Sequence, residues 1–72
     1  MKLEYQYIVF NLAEEKPKTK VWRCCNKSGG ALGVVKWHPA WRQYCYFPMV
    51  LAVYSSGCLK DINEFVDEAN KR

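Results

Sequence analysis

The sequence predicts an α+β fold, an antiparallel β-meander of four or five strands with one C-terminal α-helix packed on one face of the sheet. Two turn signals, Ser28-Gly29-Gly30 and Pro39-Ala40, separate segments that are rich in β-branched and aromatic residues. The C-terminal segment instead has a single apolar stripe with helical spacing. Because 72 residues suffice for one small core, we expect a single domain over residues 1–72.

Four segments have the composition of strands, and turn residues or charges bound each of them. They are residues 3–13, 19–27, 31–38 and 41–47. Residues 14–18 are charged and contain a proline, which cannot donate a backbone hydrogen bond, so they are predicted to form a loop. Gly33 lies inside the third segment and indicates either a β-bulge or the close approach of a ring.

The hairpin made by the third and fourth segments, residues 33–48, lies at the centre of the predicted sheet. The length of its loop decides which side chains share a face. With a two-residue loop, Trp37 faces Arg42. With a three-residue loop, the two tryptophans of the hairpin share a face with Cys45 and Phe47, and the opposite face collects Lys36, Arg42, Tyr44 and Tyr46. The sequence leaves the register open, and we prefer the second alternative because it groups cations with phenol rings.

Residues 49–54 follow Pro48 and either extend the fourth strand past a bend or form a short fifth strand. The helix is predicted over residues 58–71, with N-cap candidates in Ser55-Ser56-Gly57. Its apolar stripe consists of Leu59, Ile62, Phe65, Val66 and Ala69. The charges near its two ends match the helix dipole: Asp61 and Glu64 early, Lys71 and Arg72 late.

Charge is distributed unevenly along the chain. Residues 1–15 have a net charge of −2, residues 16–54 contain seven basic and no acidic residues, and residues 55–72 have a net charge of −1. A basic sheet beside a mildly acidic helix fits an anionic partner, either nucleic acid or an acidic protein surface. No apolar run is long enough to span a membrane, and the first residues lack the apolar core of a signal peptide. We therefore expect a cytoplasmic protein that does not bind membranes.

The sequence gives little support for metal binding or catalysis. Zinc would require convergence of ligands without close-spaced pairs, namely Cys24 or Cys25, His38, Cys45 and Cys58. Reduced thiols are the simpler interpretation, and we expect no metal and no cofactor. Residues 16–60 contain no carboxylate side chain, so the second to fourth predicted strands lack the paired acids that acid–base chemistry needs, and the helix acids Asp61, Glu64 and Glu68 have the spacing of a solvated face. A nucleophilic pair of Cys45 and His38 is the one catalytic alternative, and we predict a protein that is not an enzyme.

Two classes of binding remain, with an assembly role as a third. Exposed aromatic rings and arginines dominate protein–protein hot spots, and a basic sheet with rings suits single-stranded nucleic acid. The candidate binding residues are Lys20, Trp22, Arg23, Lys36, Arg42, Tyr44 and Tyr46. We expect a protein partner first and nucleic acid second, with self-association left open.

A pattern over residues 28–66 resembles a group of short, uncharacterised proteins encoded by bacteriophages and prophages. After a turn of small residues it consists of Leu32-Gly33, Lys36-Trp37, Trp41-Arg42, Tyr44, an aromatic pair ending in Pro48, Cys58-Leu59, Asp61-Ile62 and Phe65. The resemblance implies a phage-related protein in the cytoplasm of a bacterial host. Small accessory proteins of that kind bind host or phage machinery, and no particular activity is implied.

Overall fold

The computed structural model describes residues 1–71 and confirms the predicted fold class. Four strands, β1 (Ile8–Glu15), β2 (Lys20–Asn26), β3 (Ala31–His38) and β4 (Gln43–Pro48), precede one helix, α1 (Ser56–Ala69). The strands pair antiparallel in the order β1-β2-β3-β4, so every connection within the sheet is a hairpin. The helix crosses one face of this meander, which we call the covered face. It leaves the other face open, and we call that the uncovered face.

One stacked pair of rings holds the helix to the sheet. The rings of Phe10 and Phe65 lie 3.8 Å apart between centroids with planes 7° from parallel. The rings of Trp22 and Tyr5 contact Phe65 edge-on, at 5.1 Å and 6.4 Å. Phe10 and Phe65 are among the most completely buried side chains of the described chain, together with Ile8, Val35 and Cys24. The main core cluster therefore lies between the covered face and the helix.

The first strand is shorter than predicted because its N-terminal part folds back. β1 begins at Ile8 instead of residue 3, and the Tyr5 amide donates to the Ile8 carbonyl at 2.8 Å. The backbone N–H of Tyr7 donates to Oδ2 of Asp61 on the helix at 2.8 Å. Asp61 was predicted to lie on a solvated face, and this is wrong, since it is 6% exposed. Its carboxylate instead attaches the N-terminal segment to α1.

Gly33 shows both of the features predicted for it. The register between β2 and β3 shifts between Cys24 and Cys25, so Leu32 forms a β-bulge beside Gly33. The ring of Tyr46 also lies against Gly33, where an added Cβ would come within 2.6 Å of the phenol oxygen. Because no side chain other than hydrogen fits there, the phenol end of Tyr46 can lie directly against the backbone of Gly33.

The loop between β3 and β4 is longer than either predicted alternative. His38 pairs with Gln43, so residues 39–42 form a four-residue loop. The loop closes at Arg42, whose backbone has a left-handed φ of 54° and whose N–H donates to the His38 carbonyl at 2.8 Å. Both predicted registers were wrong, because the Pro39-Ala40 turn signal gives no indication that Arg42 adopts a left-handed conformation.

The register decides which side chains lie under the helix. Trp37 pairs with Tyr44 and Val35 with Tyr46, so both tyrosines lie on the covered face beside the core. Lys36 pairs with Cys45 and lies on the uncovered face. The expected grouping of Lys36, Arg42, Tyr44 and Tyr46 on one face therefore does not occur.

The segment between β4 and the helix is a loop. Within residues 1–71 no fifth strand forms, and Leu51 has a left-handed φ of 69°. The helix starts two residues before the predicted position, with Ser55 as the N-cap accepting from the Cys58 amide at 3.2 Å. It ends at Ala69, so the predicted charge match to the dipole is not found: the first turn has no acid and the last turn no base. Arg72 lies outside the described residues.

Candidate functional site

The seven candidate binding residues occupy three different places. Trp22 is 6% exposed in the core, and Tyr46 is half-buried beside it. Tyr44, Arg42 and Lys20 lie near the end of the sheet where the helix terminates. Arg23 and Lys36 lie on the uncovered face. The structure thus separates most of the predicted rings from two of the predicted cations.

The uncovered face has aromatic rings of its own, which were not among the candidate binding residues. The imidazole of His38 makes edge contacts with Trp41, at 4.9 Å between centroids, and with Phe47, at 5.7 Å. The Nζ atom of Lys36 lies 4.8 Å from the centre of the Phe47 ring, a cation–π geometry. Trp41 is 68% exposed. This series of rings is only partly buried and is open to a partner.

A row of side chains crosses the uncovered face on all four strands. Its pairs are Asn11 with Arg23, Arg23 with Val34, and Val34 with Phe47. Arg23 is exposed, whereas Val34 and Phe47 are half-buried. Two acidic residues lie at the β1 edge of this face: Glu4, which is opposite Val9 and forms an ion pair with Lys27 at 2.8 Å, and Glu14, which pairs with Val21. The face therefore combines apolar side chains with two cations, as interface hot spots do.

A second exposed surface follows directly after Phe47 along the chain. We call residues 49–53 the apolar loop, because Val50, Leu51 and Val53 are 89%, 93% and 85% exposed. One carbonyl holds both ends of this loop: the Leu32 oxygen accepts from the Met49 amide and from the Tyr54 hydroxyl, each at 2.9 Å. The β-bulge at Leu32 thus provides a fixed base from which apolar side chains point into solvent.

Two tyrosine hydroxyl groups connect the Leu32 carbonyl to the core. Because the Tyr54 hydroxyl donates to Leu32, it accepts from the Tyr46 hydroxyl, at 2.8 Å. Burial, reinforced by this hydrogen bond, raises the pKa of Tyr46 far above its usual range. Tyr46 therefore has a structural role as a neutral donor, and it does not present a ring to a partner.

A cleft opens on the covered face where the helix ends. We call it the basic cleft. It has a volume of about 720 Å³ and lies between the β1–β2 turn, the β3–β4 loop and the last turn of α1. Its lining comprises Lys18, Thr19, Trp37, Arg42, Gln43, Tyr44, Ala69, Asn70 and Lys71. Asn70 fixes one wall, since its side-chain oxygen accepts from the Tyr44 amide at 2.7 Å and its side-chain nitrogen donates to the Tyr44 carbonyl at 3.1 Å.

The cysteines show no sign of a shared reactive site. Burial raises the pKa of the Cys24 thiol to about 11, so it is not a thiolate at neutral pH. All four cysteines are free, with Cys45 and Cys58 partly exposed. Among residues 1–71 no group of three or more histidine, cysteine or acidic side chains is close enough to hold a metal ion.

Comparison of the chain with protein-family models, with curated proteins and with solved structures finds no match. The 14-residue helix is too short and too polar to cross a lipid bilayer. The surfaces described above are therefore assigned from their own geometry and chemistry.

Two of these surfaces were missed at the sequence level for different reasons. The apolar loop lies in the longest apolar run of the chain, and such a run predicts a buried strand unless the positive φ at Leu51 is known. The basic cleft joins residues from the β1–β2 turn, the β3–β4 loop and the chain end, so no local motif could reveal it.

Proposed function

We propose that this protein is a small, non-enzymatic binding protein that recognises an acidic surface of a partner protein through the uncovered face. The observation that carries the proposal is the row of rings Trp41, His38 and Phe47 on a sheet face that no helix covers. Lys36 above Phe47 and Arg23 in the adjoining row add positive charge. The setting suggested by the sequence pattern is a phage-related protein acting in the cytoplasm of a bacterial host.

A protein partner suits this surface better than nucleic acid. Single-stranded nucleic acid needs rings whose faces are free for stacking, and two of the rings expected to serve, Trp22 and Tyr46, pack into or beside the core. On the uncovered face the ammonium group of Lys36 already lies over the Phe47 ring, so this ring face is not free for stacking. Such an apolar centre with cations at its rim favours a partner with an apolar contact region edged by carboxylates.

The apolar loop extends this binding surface. It begins two residues after Phe47, and its base is fixed by hydrogen bonds, so Val50 and Leu51 are presented with little loss of backbone entropy on binding. Leu51 is 93% exposed and held at a positive φ that leucine rarely adopts. Backbone strain of this kind is a reason to suspect function at the residue that carries it. We therefore infer that Leu51 enters an apolar pocket of the partner.

The test compares two double charge reversals that change the net charge equally. Arg23→Glu with Lys36→Glu alters the uncovered face, and Lys16→Glu with Lys60→Glu alters exposed lysines in the β1–β2 turn and on the helix. Immobilised wild type and both variants are exposed to a bacterial lysate, captured proteins are quantified by mass spectrometry, and the leading partner is purified for titration. The expected result is loss of the partner only with the first variant, and Trp41→Ala should weaken the purified complex by about 2 kcal/mol.

Two outcomes would contradict the proposal. Equal capture by the two reversed variants would show that the charge of the uncovered face is not used for recognition. Recovery of nucleic acid instead of protein would favour the single-stranded nucleic acid alternative. In that case the logarithm of the affinity should fall linearly with the logarithm of the salt concentration.

A further inference from the structure

The basic cleft lies on the opposite side of the sheet from the proposed protein-binding surface. Trp37 and Tyr44 line it from the covered face, at the end of the sheet where the helix terminates. Asn70 closes one side by bonding to the edge of β4. Because three separate elements form its walls, the cleft is a feature of the tertiary fold and not of a single loop.

The cleft is positively charged. Lys18, Arg42 and Lys71 line it, and no lining residue within the described chain has a carboxylate. The ion pairs found in residues 1–71 involve other lysines, Lys20 with Glu15 and Lys27 with Glu4. The helix C-terminus adds a partial negative charge of roughly half an electron, which offsets only a fraction of three cations. Glu15 and Glu68 line the adjoining hollow beside Lys18 and Lys71, whereas the charged residues that line the cleft itself are all cations, so the cleft favours an anion.

Arg42 adopts a backbone conformation that is costly for any residue with a side chain. Its φ is 54°, and its amide is held by the carbonyls of His38 and Pro39, so the strain is fixed by the loop. The turn between β2 and β3 uses glycine where φ is positive, at Gly29. A glycine at position 42 would meet the same need at lower cost. The presence of arginine there indicates a use for the guanidinium group.

Two aromatic rings form a fixed wall beside these cations. Trp37 and Tyr44 meet edge-on at 5.4 Å, and Tyr44 meets Trp22 of the core at the same distance. The Tyr44 hydroxyl accepts a hydrogen bond from the Lys20 amide at 3.1 Å, so both ends of its side chain are held. Trp37 is only half-buried. A planar ligand could stack on this wall without first ordering it.

We propose that the basic cleft binds a phosphate-bearing ligand with an aromatic base, that is, a nucleoside phosphate, either free or as one unit of a single strand. Arg42 contacts the phosphate with its planar fork of donors, and Lys18 and Lys71 add charge. Trp37 and Tyr44 provide the stacking surface for the base. This proposal is independent of the protein-binding surface, because none of its residues lies on the uncovered face.

The test is a ligand titration monitored by nuclear magnetic resonance. The indole N–H signal of Trp37 is the reporter, and that of Trp41 is the internal control. The ligands are adenosine monophosphate, an oligothymidylate and inorganic phosphate. Adenosine monophosphate should shift the Trp37 signal in a saturable way, with Kd below about 1 mM. Trp41, which does not line the cleft, should hardly respond.

Variants distinguish a built site from general attraction to a basic protein. Arg42→Gly suits the left-handed φ, so the fold should persist while the affinity falls roughly tenfold, the effect of losing one charge-assisted contact. Lys36→Gln removes a charge from the uncovered face and should leave the titration unchanged. Tighter binding of the oligothymidylate would support the proposal and identify a single strand as the source of the ligand, whereas tighter binding of the mononucleotide would identify a free nucleotide.

Three results would overturn the proposal. They are no saturable shift of Trp37 with either nucleotide ligand, equal binding of inorganic phosphate, and an equal loss of affinity in Arg42→Gly and Lys36→Gln. Each would mean that the cleft does not recognise a nucleoside phosphate.

Discussion

The two faces of the sheet contribute differently to the fold. On the covered face, Phe10 stacks on Phe65 of the helix and Tyr46 packs against Gly33, so each ring has a partner within the molecule. On the uncovered face, Phe47 and Trp41 contact His38 but remain partly in solvent. The first face accounts for the stability of the domain, whereas the second has apolar surface that the fold does not bury.

The turns also differ from one another in whether their positive-φ residue serves the fold alone. Gly29 adopts a φ of 95° in the hairpin between β2 and β3, where an added Cβ would have no heavy atom within 4 Å. Arg42 and Leu51 adopt comparable left-handed conformations with long, exposed side chains. They lie in the loops at the two ends of β4, next to the basic cleft and within the apolar loop. A chain that depended only on folding would use glycine at all three positions.

Truncation of one phenylalanine on each face should show this asymmetry most strongly. Phe65→Ala should lower the free energy of unfolding by about 3–5 kcal/mol, because the ring is fully buried in the core. Phe47→Ala should cost about 1 kcal/mol, because the ring is only half-buried. Urea unfolding followed by circular dichroism measures both. Equal losses would mean that the uncovered face also supports the fold.

Alkaline titration should affect the covered face in particular. Burial raises the pKa of Tyr46 strongly and that of Cys24 to about 11, so the folded state keeps protons that the unfolded state releases. Their stabilising contribution is complete below the unfolded pKa values, near 9 and 10, and is lost as the pH rises above them. The free energy of unfolding should therefore fall by about 1.4 kcal/mol per pH unit for each of these two groups while the pH lies between its unfolded and its folded pKa.

The matched variant for this titration is Tyr46→Phe. It keeps the ring on Gly33 but has no hydroxyl to ionise, and Tyr54 can still donate to the Leu32 carbonyl. Between pH 10 and 11 its free energy of unfolding should fall less steeply with pH than that of the wild type. The difference in slope corresponds to the release of about one proton on unfolding. An unchanged slope would show that Tyr46 ionises as readily in the folded state as in the unfolded state.

The sequence predicted the parts of the fold that depend on local pattern. Alternating β-rich segments and the stripe containing Ile62 and Phe65 were enough for the meander and its helix. The register was not predictable, because it depends on the left-handed φ of Arg42, and an arginine gives no signal for that conformation. The wrong register also misplaced the candidate binding residues of the hairpin, because a shift by one residue moves every side chain to the other face.

Some contacts depend on positions far apart in the chain. Asp61 is buried because a segment more than fifty residues earlier folds back to donate its Tyr7 amide. Helical periodicity alone predicts that the side chain of Asp61 is exposed to solvent. The basic cleft is similar, since Lys18 and Arg42 meet only after the strands have paired.

We propose that Arg42 and Leu51 are kept at a cost to stability because their side chains serve binding. The most direct measurement is the free energy of urea unfolding of Arg42→Gly with Leu51→Gly, beside Gly29→Ala as a control. Each glycine should raise it by about 0.5–1 kcal/mol, since relief of left-handed strain outweighs the added entropy of the unfolded chain. Gly29→Ala should lower it by about 1–2 kcal/mol through backbone strain alone. A doubly substituted protein less stable than the wild type would show that these side chains serve the fold, and that they are not kept for binding at a cost to stability.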